Sequence, residues 1–140
     1  MAFLQQLSVS GTLLYCVVAA AALIYFPFLV VGYGRVKVGY DTSAPRALFD
    51  KLPAFAQRAT WAHENSFESF VLFTAAALMA YVTQVSSPLA AQAAIAYVIA
   101  RFLYSLFYIL NVPLGRSLMF AVGSTTIGTL MILSLAQVSP

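Results

Sequence analysis

Nineteen residues from Leu13 to Val31 pass without a single charged side chain. As helix, at 1.5 Å per residue, that run is about 28 Å long, close to the thickness of a hydrocarbon core of about 30 Å. The rest of the chain has the same character. It is 62% apolar and 8% charged, with a mean hydropathy of +0.90, whereas a soluble domain carries roughly 25% charged residues. These observations predict a single-domain, all-α integral membrane protein covering residues 1–140. A cleaved leader fits poorly, because residues 1–7 hold no Lys or Arg and a leader needs a basic start and a shorter apolar core.

Four apolar spans follow from the hydropathy pattern, at about Leu7 to Val31, Glu68 to Val85, Leu89 to Leu110 and Pro113 to Ala136. Ser86-Ser87-Pro88 joins the second to the third, and Asn111-Val112-Pro113 the third to the fourth. Only the first connection, residues 32–66, is long. It holds Arg35, Lys37, Arg46, Lys51 and Arg58, while the termini and the Ser-Ser-Pro turn hold no Lys or Arg. The positive-inside rule therefore places this connection in the cytoplasm and both termini on the opposite side. The net charge of +3 reads as a topology signal, since no basic stripe interleaved with aromatics suggests nucleic acid. Short hairpins predict a left-handed bundle. Ala75, Ala76, Ala77, Ala80, Gly123 and Gly128 supply close contacts, and Pro27 bends the first helix. Cys16 and His63 are the only residues of their types, so neither an intrachain disulfide nor a His/Cys metal set is expected.

The polar residues gather just ahead of the second span, in Arg58-Ala-Thr-Trp-Ala-His-Glu-Asn-Ser-Phe-Glu68. As a helix, Arg58, Trp61, Asn65 and Glu68 fall along one face, with His63 about 140° from Arg58. This stretch reads either as a polar site at the mouth of the bundle or as a headgroup anchor. Arg101 lies well inside the third span, where an ionised side chain needs a partner. Glu68 is the expected one, and Tyr104 and Tyr108 share the helical face of Arg101. Such a pair serves architecture or chemistry equally well. Pro113 suits the first turn of the fourth helix, which sets Arg116 and Ser117 near a helix N-terminus. Backbone N–H groups and dipole there favour an anion, and a thiol beside such charge ionises more readily. Arg116 also fits a simple headgroup anchor.

The order Arg58-Ala59, Ala62-His63, Asn65, Glu68, Arg101, Tyr104, Tyr108, Pro113 and Arg116-Ser117 resembles the MAPEG family, the membrane-associated proteins of eicosanoid and glutathione metabolism. The resemblance runs over essentially the whole chain. It implies a homotrimer of four-helix subunits among membrane lipids, with glutathione held between neighbours, and conjugation, isomerisation or peroxide reduction of a lipophilic small-molecule substrate that enters from the bilayer. It further implies Arg116 and Ser117 as catalytic, with Arg35, Asn65, Glu68, Arg101, Tyr104 and Tyr108 as glutathione contacts. Trp61 stands where glutathione-using members carry arginine, and Glu64 where some carry a basic residue. Glutathione has two carboxylates, so both departures weaken its electrostatic hold. A non-catalytic protein that binds or presents a lipid or partner is therefore the alternative. A channel is a weaker one, with only Glu68 and Arg101 as charges at membrane depth. A bacterial plasma membrane is the expected location, as no retention or transit signal is visible.

Overall fold

Ser8 opens the first helix by accepting a hydrogen bond from the Gly11 N–H at 3.1 Å. From there the computed structural model, which describes residues 8–139, runs through four long helices. They are α1 (Val9–Lys37), α2 (Ala54–Val82), α3 (Pro88–Ile109) and α4 (Pro113–Val138). A 3-10 turn, Pro45–Lys51, lies in the connector between α1 and α2. Among the described residues there is no strand, and all four α-helices are long and apolar enough to cross a membrane. The chain is a multi-pass integral membrane protein.

Helix ends follow local chemistry. Pro88 and Pro113 occupy first turns, where the missing N–H costs nothing. Asn111 takes a left-handed φ of 59° between α3 and α4, a conformation asparagine tolerates better than most residues. Two boundaries differ from the hydropathy reading. α1 continues past Val31 to Lys37, and α2 begins at Ala54 rather than Glu68. Hydropathy marks where lipid begins, whereas a helix ends only where its hydrogen bonds do, so polar helical extensions look like loop in a hydropathy pattern. The connection shrinks to residues 38–53.

α1 packs along α2 and α3 along α4, with further contacts of α1 to α3 and of α2 to both α3 and α4. The main core combines Leu13, Ala20, Ala76, Ala80, Ala94 and Leu130 with a stacked pair, Phe73 on Tyr97, whose centroids are 3.8 Å apart. A smaller cluster of Val31, Leu52, Ala56 and Ala59 lies at the connector end. Of the small residues expected at contacts, Ala76, Ala77, Ala80 and Gly123 are buried. Ala75 is exposed, and Gly128 has open space around it, because both point away from the helix contacts. α1 remains helical through Pro27. Nearby, the Ile24 carbonyl accepts a bond from His63 Nδ1 of α2 at 2.9 Å. A carbonyl only accepts, so Nδ1 carries the hydrogen. His63 ties α1 to α2.

Candidate functional site

The polar stretch of α2 divides between two sides of the helix. On the side toward α3, Arg58 Nε donates to the Ile109 carbonyl at 3.0 Å, placing a cation at the C-terminus of α3, where the dipole favours it. One turn on, Trp61 packs near Tyr108, at 6.4 Å between centroids, and near Phe49 of the connector, at 5.7 Å. Next, Asn65 Oδ1 and Ser66 Oγ both accept from Arg101 Nη2, at 3.1 and 3.3 Å.

Arg101 is buried at 4% exposure, as its position inside the third span predicts. Its partners differ from the expectation. The guanidinium sits 4.1 Å from the centre of the Tyr104 ring, bonds Asn65 and Ser66, and leaves Nε without a partner. Among the described residues, no hydrogen bond or ion pair joins it to Glu68. Helix geometry explains this: at 100° per residue Glu68 lies about 60° round α2 from Asn65 and only about 40° from Glu64. Glu68 instead lines a wider cavity beside Glu64, although its charge still reaches Tyr104.

Asn65, Tyr104, Tyr108, Arg116, Ser117 and Phe120 line one cavity of about 300 Å³. Three helices build it. α2 supplies Asn65, α3 the two tyrosines, and the first turns of α4 the rest. Gly115 lets α4 start close against α3, since a Cβ there would lie 2.9 Å from the Phe107 ring. The Arg116 guanidinium sits 4.7 Å from the Tyr108 ring centre, and Tyr108 in turn meets Tyr104 edge to face at 5.6 Å. No side chain caps the N-terminus of α4, so its first turn still offers positive character to the cavity. The charged side chain on the wall is cationic, Arg116, with Arg101 behind Asn65 and Tyr104, and Glu68 acts on Tyr104 only from outside the lining.

Five of the eight residues expected from the sequence thus converge, and Arg101 backs them. Arg35 and Glu68 do not join this group. They line a second, wider cavity of about 700 Å³ between α1, the connector and α2. Sequence reasoning missed Ser66 and Phe120. Ser66 was discoverable, because a buried guanidinium needs several acceptors and a small hydroxyl beside Asn65 is one. Phe120 follows Ser117 by three residues on α4, but an aromatic in an apolar span carries no distinguishing signal.

This spatial grouping has a counterpart in sequence comparison, where the model of the MAPEG family matches residues 12–136. The chain belongs to the MAPEG family. The match reaches from the first turn of α1 almost to the end of α4, so it takes in both cavities of this MAPEG protein. No curated protein and no solved structure matches the chain.

Proposed function

We propose that this MAPEG protein binds glutathione with its thiol in the cavity of Asn65, Tyr104, Tyr108, Arg116 and Ser117, and uses it on lipophilic electrophiles as a transferase or peroxidase. The observation that carries the proposal is the cavity's charge: a guanidinium at an uncapped helix start, a second guanidinium behind it, and no carboxylate on the wall. Such an environment favours an anion. At about 300 Å³ it stands at the lower end of small-ligand pockets, which suits the reacting portion of a peptide.

When bound, glutathione supplies the nucleophilic sulfur. Arg116 holds negative charge on that sulfur, the open first turn of α4 adds its N–H groups, and Ser117 donates a hydroxyl hydrogen. Asn65 is held by Arg101, so its free amide hydrogens point from a fixed position. The Tyr108 ring steadies the guanidinium through its face. A lipophilic substrate enters laterally from the bilayer, and left-handed four-helix bundles assembled as a homotrimer in a bacterial plasma membrane complete the reading. Native mass spectrometry of the detergent complex gives the stoichiometry.

The deciding experiment measures glutathione-dependent turnover of a hydrophobic electrophile by the purified protein and by Arg116→Ala. Loss of a transition-state donor of this kind costs about 10²-fold or more in rate. Equal rates would remove Arg116 from the mechanism. One observation favours a second reading, a non-catalytic binder: Trp61 puts an indole beside Tyr108 where glutathione-using relatives are expected to have a guanidinium. In that case millimolar glutathione leaves the melting temperature unchanged, whereas a ligand of the native state raises it.

A further inference from the structure

The cradle that holds Arg101 carries no opposite charge. Nη2 donates to Asn65 Oδ1 and Ser66 Oγ at 3.1 and 3.3 Å, and the guanidinium carbon lies 4.1 Å from the Tyr104 ring centre. Ser105 Oγ of α3 stands 3.4 Å from Ser66 Oγ, and both serines are buried. One turn further along α2, the hydroxyls of Ser69 and Tyr97 bond each other at 2.9 Å. α4 comes beside Arg101 at Gly123, where an added Cβ would be 3.6 Å from Cδ. Among the described residues no carboxylate bonds the guanidinium, and its Nε is buried without a partner. Ser66 and Ser105 lie outside the set of residues that the family resemblance assigns.

A buried cation usually draws a carboxylate, because alone it loses hydration with no compensating charge. Hydroxyls and amides meet the same need differently. They satisfy N–H groups with dipoles and leave the unit charge effective beyond them. An aspartate in place of Ser66 would turn cation and cradle into a neutral pair with little field outside it. The difference is felt at the smaller cavity, since Asn65 and Tyr104 touch Arg101 and also line the wall.

We propose that Ser66, backed by Ser105, is a positioning residue that fixes Arg101 without neutralising it, so that the Arg101 charge stabilises a thiolate in the adjoining cavity together with Arg116. This rests on the thiol reading above and deepens it. One cation, Arg116, is on the wall, and the other acts through Asn65 and Tyr104. The charged and titratable groups that act on Arg101 or Tyr104 are Glu68 of α2, Tyr97 and Tyr108 of α3 and Arg116 of α4, with none from α1. Glu68, the one carboxylate among them, opposes the effect from outside the lining.

The test titrates glutathione bound to the purified full chain in detergent, reading thiolate by its ultraviolet absorbance as pH is raised. The deciding pair is Ser66→Asp and Ser66→Asn, alike in shape and different in charge. The aspartate variant should form thiolate at a pH about one unit higher than the asparagine variant, the effect of one unit charge about 10 Å away at an effective dielectric of about 20. A purely structural Ser66 changes melting temperature and affinity in both variants but leaves their midpoints equal, and equal midpoints overturn the proposal. If Ser66→Asp is not recovered folded, Arg101→Gln takes its place, since its amide still donates to Asn65 and Ser66 but carries no charge. Its midpoint should rise by about as much over the wild type, with most of the rise reversed in Arg101→Lys. A midpoint unchanged in Arg101→Gln, or raised equally in Arg101→Lys, overturns the proposal. Arg116→Ala separates this failure from failure of the thiol reading. If its midpoint rises while the two Ser66 variants agree, the thiol reading stands and only the role of Ser66 falls. A wild-type protein that forms no thiolate with saturating glutathione overturns both.

Discussion

At the scale of single residues, Trp61 of α2 and Arg101 of α3 influence the smaller cavity through residues that line it, Tyr108 for the first and Asn65 and Tyr104 for the second. Arg101 is a buried cation answered by neutral groups, an amide, a hydroxyl and an aromatic face. Its charge is therefore not cancelled by a carboxylate and is still felt by whatever enters beside Asn65 and Tyr104. Trp61, one turn before Asn65, is 43% exposed and touches Tyr108. It brings apolar surface to the place where a further guanidinium would strengthen the anion site. Trp61→Arg should therefore tighten glutathione binding by about tenfold, the effect of one hydrogen bond to a charged group at ~1.5 kcal/mol. Removing the indole from Phe49 and Tyr108 works against this gain, at a cost of at most about 1 kcal/mol for each ring pair. Isothermal titration of both proteins in one detergent checks this, and unchanged or weaker binding by the variant would mean that position 61 does not face the ligand.

Among elements, α1 and α2 matter most, because their contact forms the wider cavity and fixes the angle at which α2 presents its polar face. Near the connector they approach closely at Gly34, where an added Cβ would collide with Ala56 Cβ. Further along, His63 donates to the Ile24 carbonyl. Gly34→Leu should push the helices apart and destabilise the protein by about 1–3 kcal/mol, the usual cost of overpacking, visible as a lower melting temperature. The same contact shows what the sequence could and could not disclose. Span number, order and the short hairpins were legible in hydropathy and in Pro88 and Pro113. The polar ends of α1 and α2 were not, since helix continued where hydropathy fell. The grouping of Asn65, Tyr104, Tyr108, Arg116 and Ser117 was legible from spacing and family resemblance. The pairing of Glu68 with Arg101 was not what the fold adopts, because offsets of three and four residues accumulate a drift round the helix that only tertiary packing resolves.

For the whole molecule, the distribution of charge decides orientation. All the basic residues outside α3 and α4 lie at the connector end, in Arg35, Lys37, Arg46, Lys51 and Arg58. The structure keeps them there although the helices extend further than hydropathy implies: Lys37 Nζ lies 5.1 Å from the Tyr33 ring centre, and Arg58 closes the end of α3. Arg116, at the start of α4, stands at this same end, since α4 begins where α3 finishes. The α2–α3 turn and the described part of the C-terminal end carry no basic side chain. Basic residues close to span ends are retained on the cytoplasmic side, so the connector and the mouth of the smaller cavity should face the cytoplasm, where a soluble thiol reaches Arg116 directly. Single cysteines placed at Thr42 and at Ser86, both exposed, in a Cys16→Ala background test this in intact cells with a membrane-impermeant maleimide. Cysteine at 86 should label in intact cells and cysteine at 42 only after lysis. The reverse pattern would put the cavity mouth on the far side of the membrane, and would require the thiol to be supplied from there.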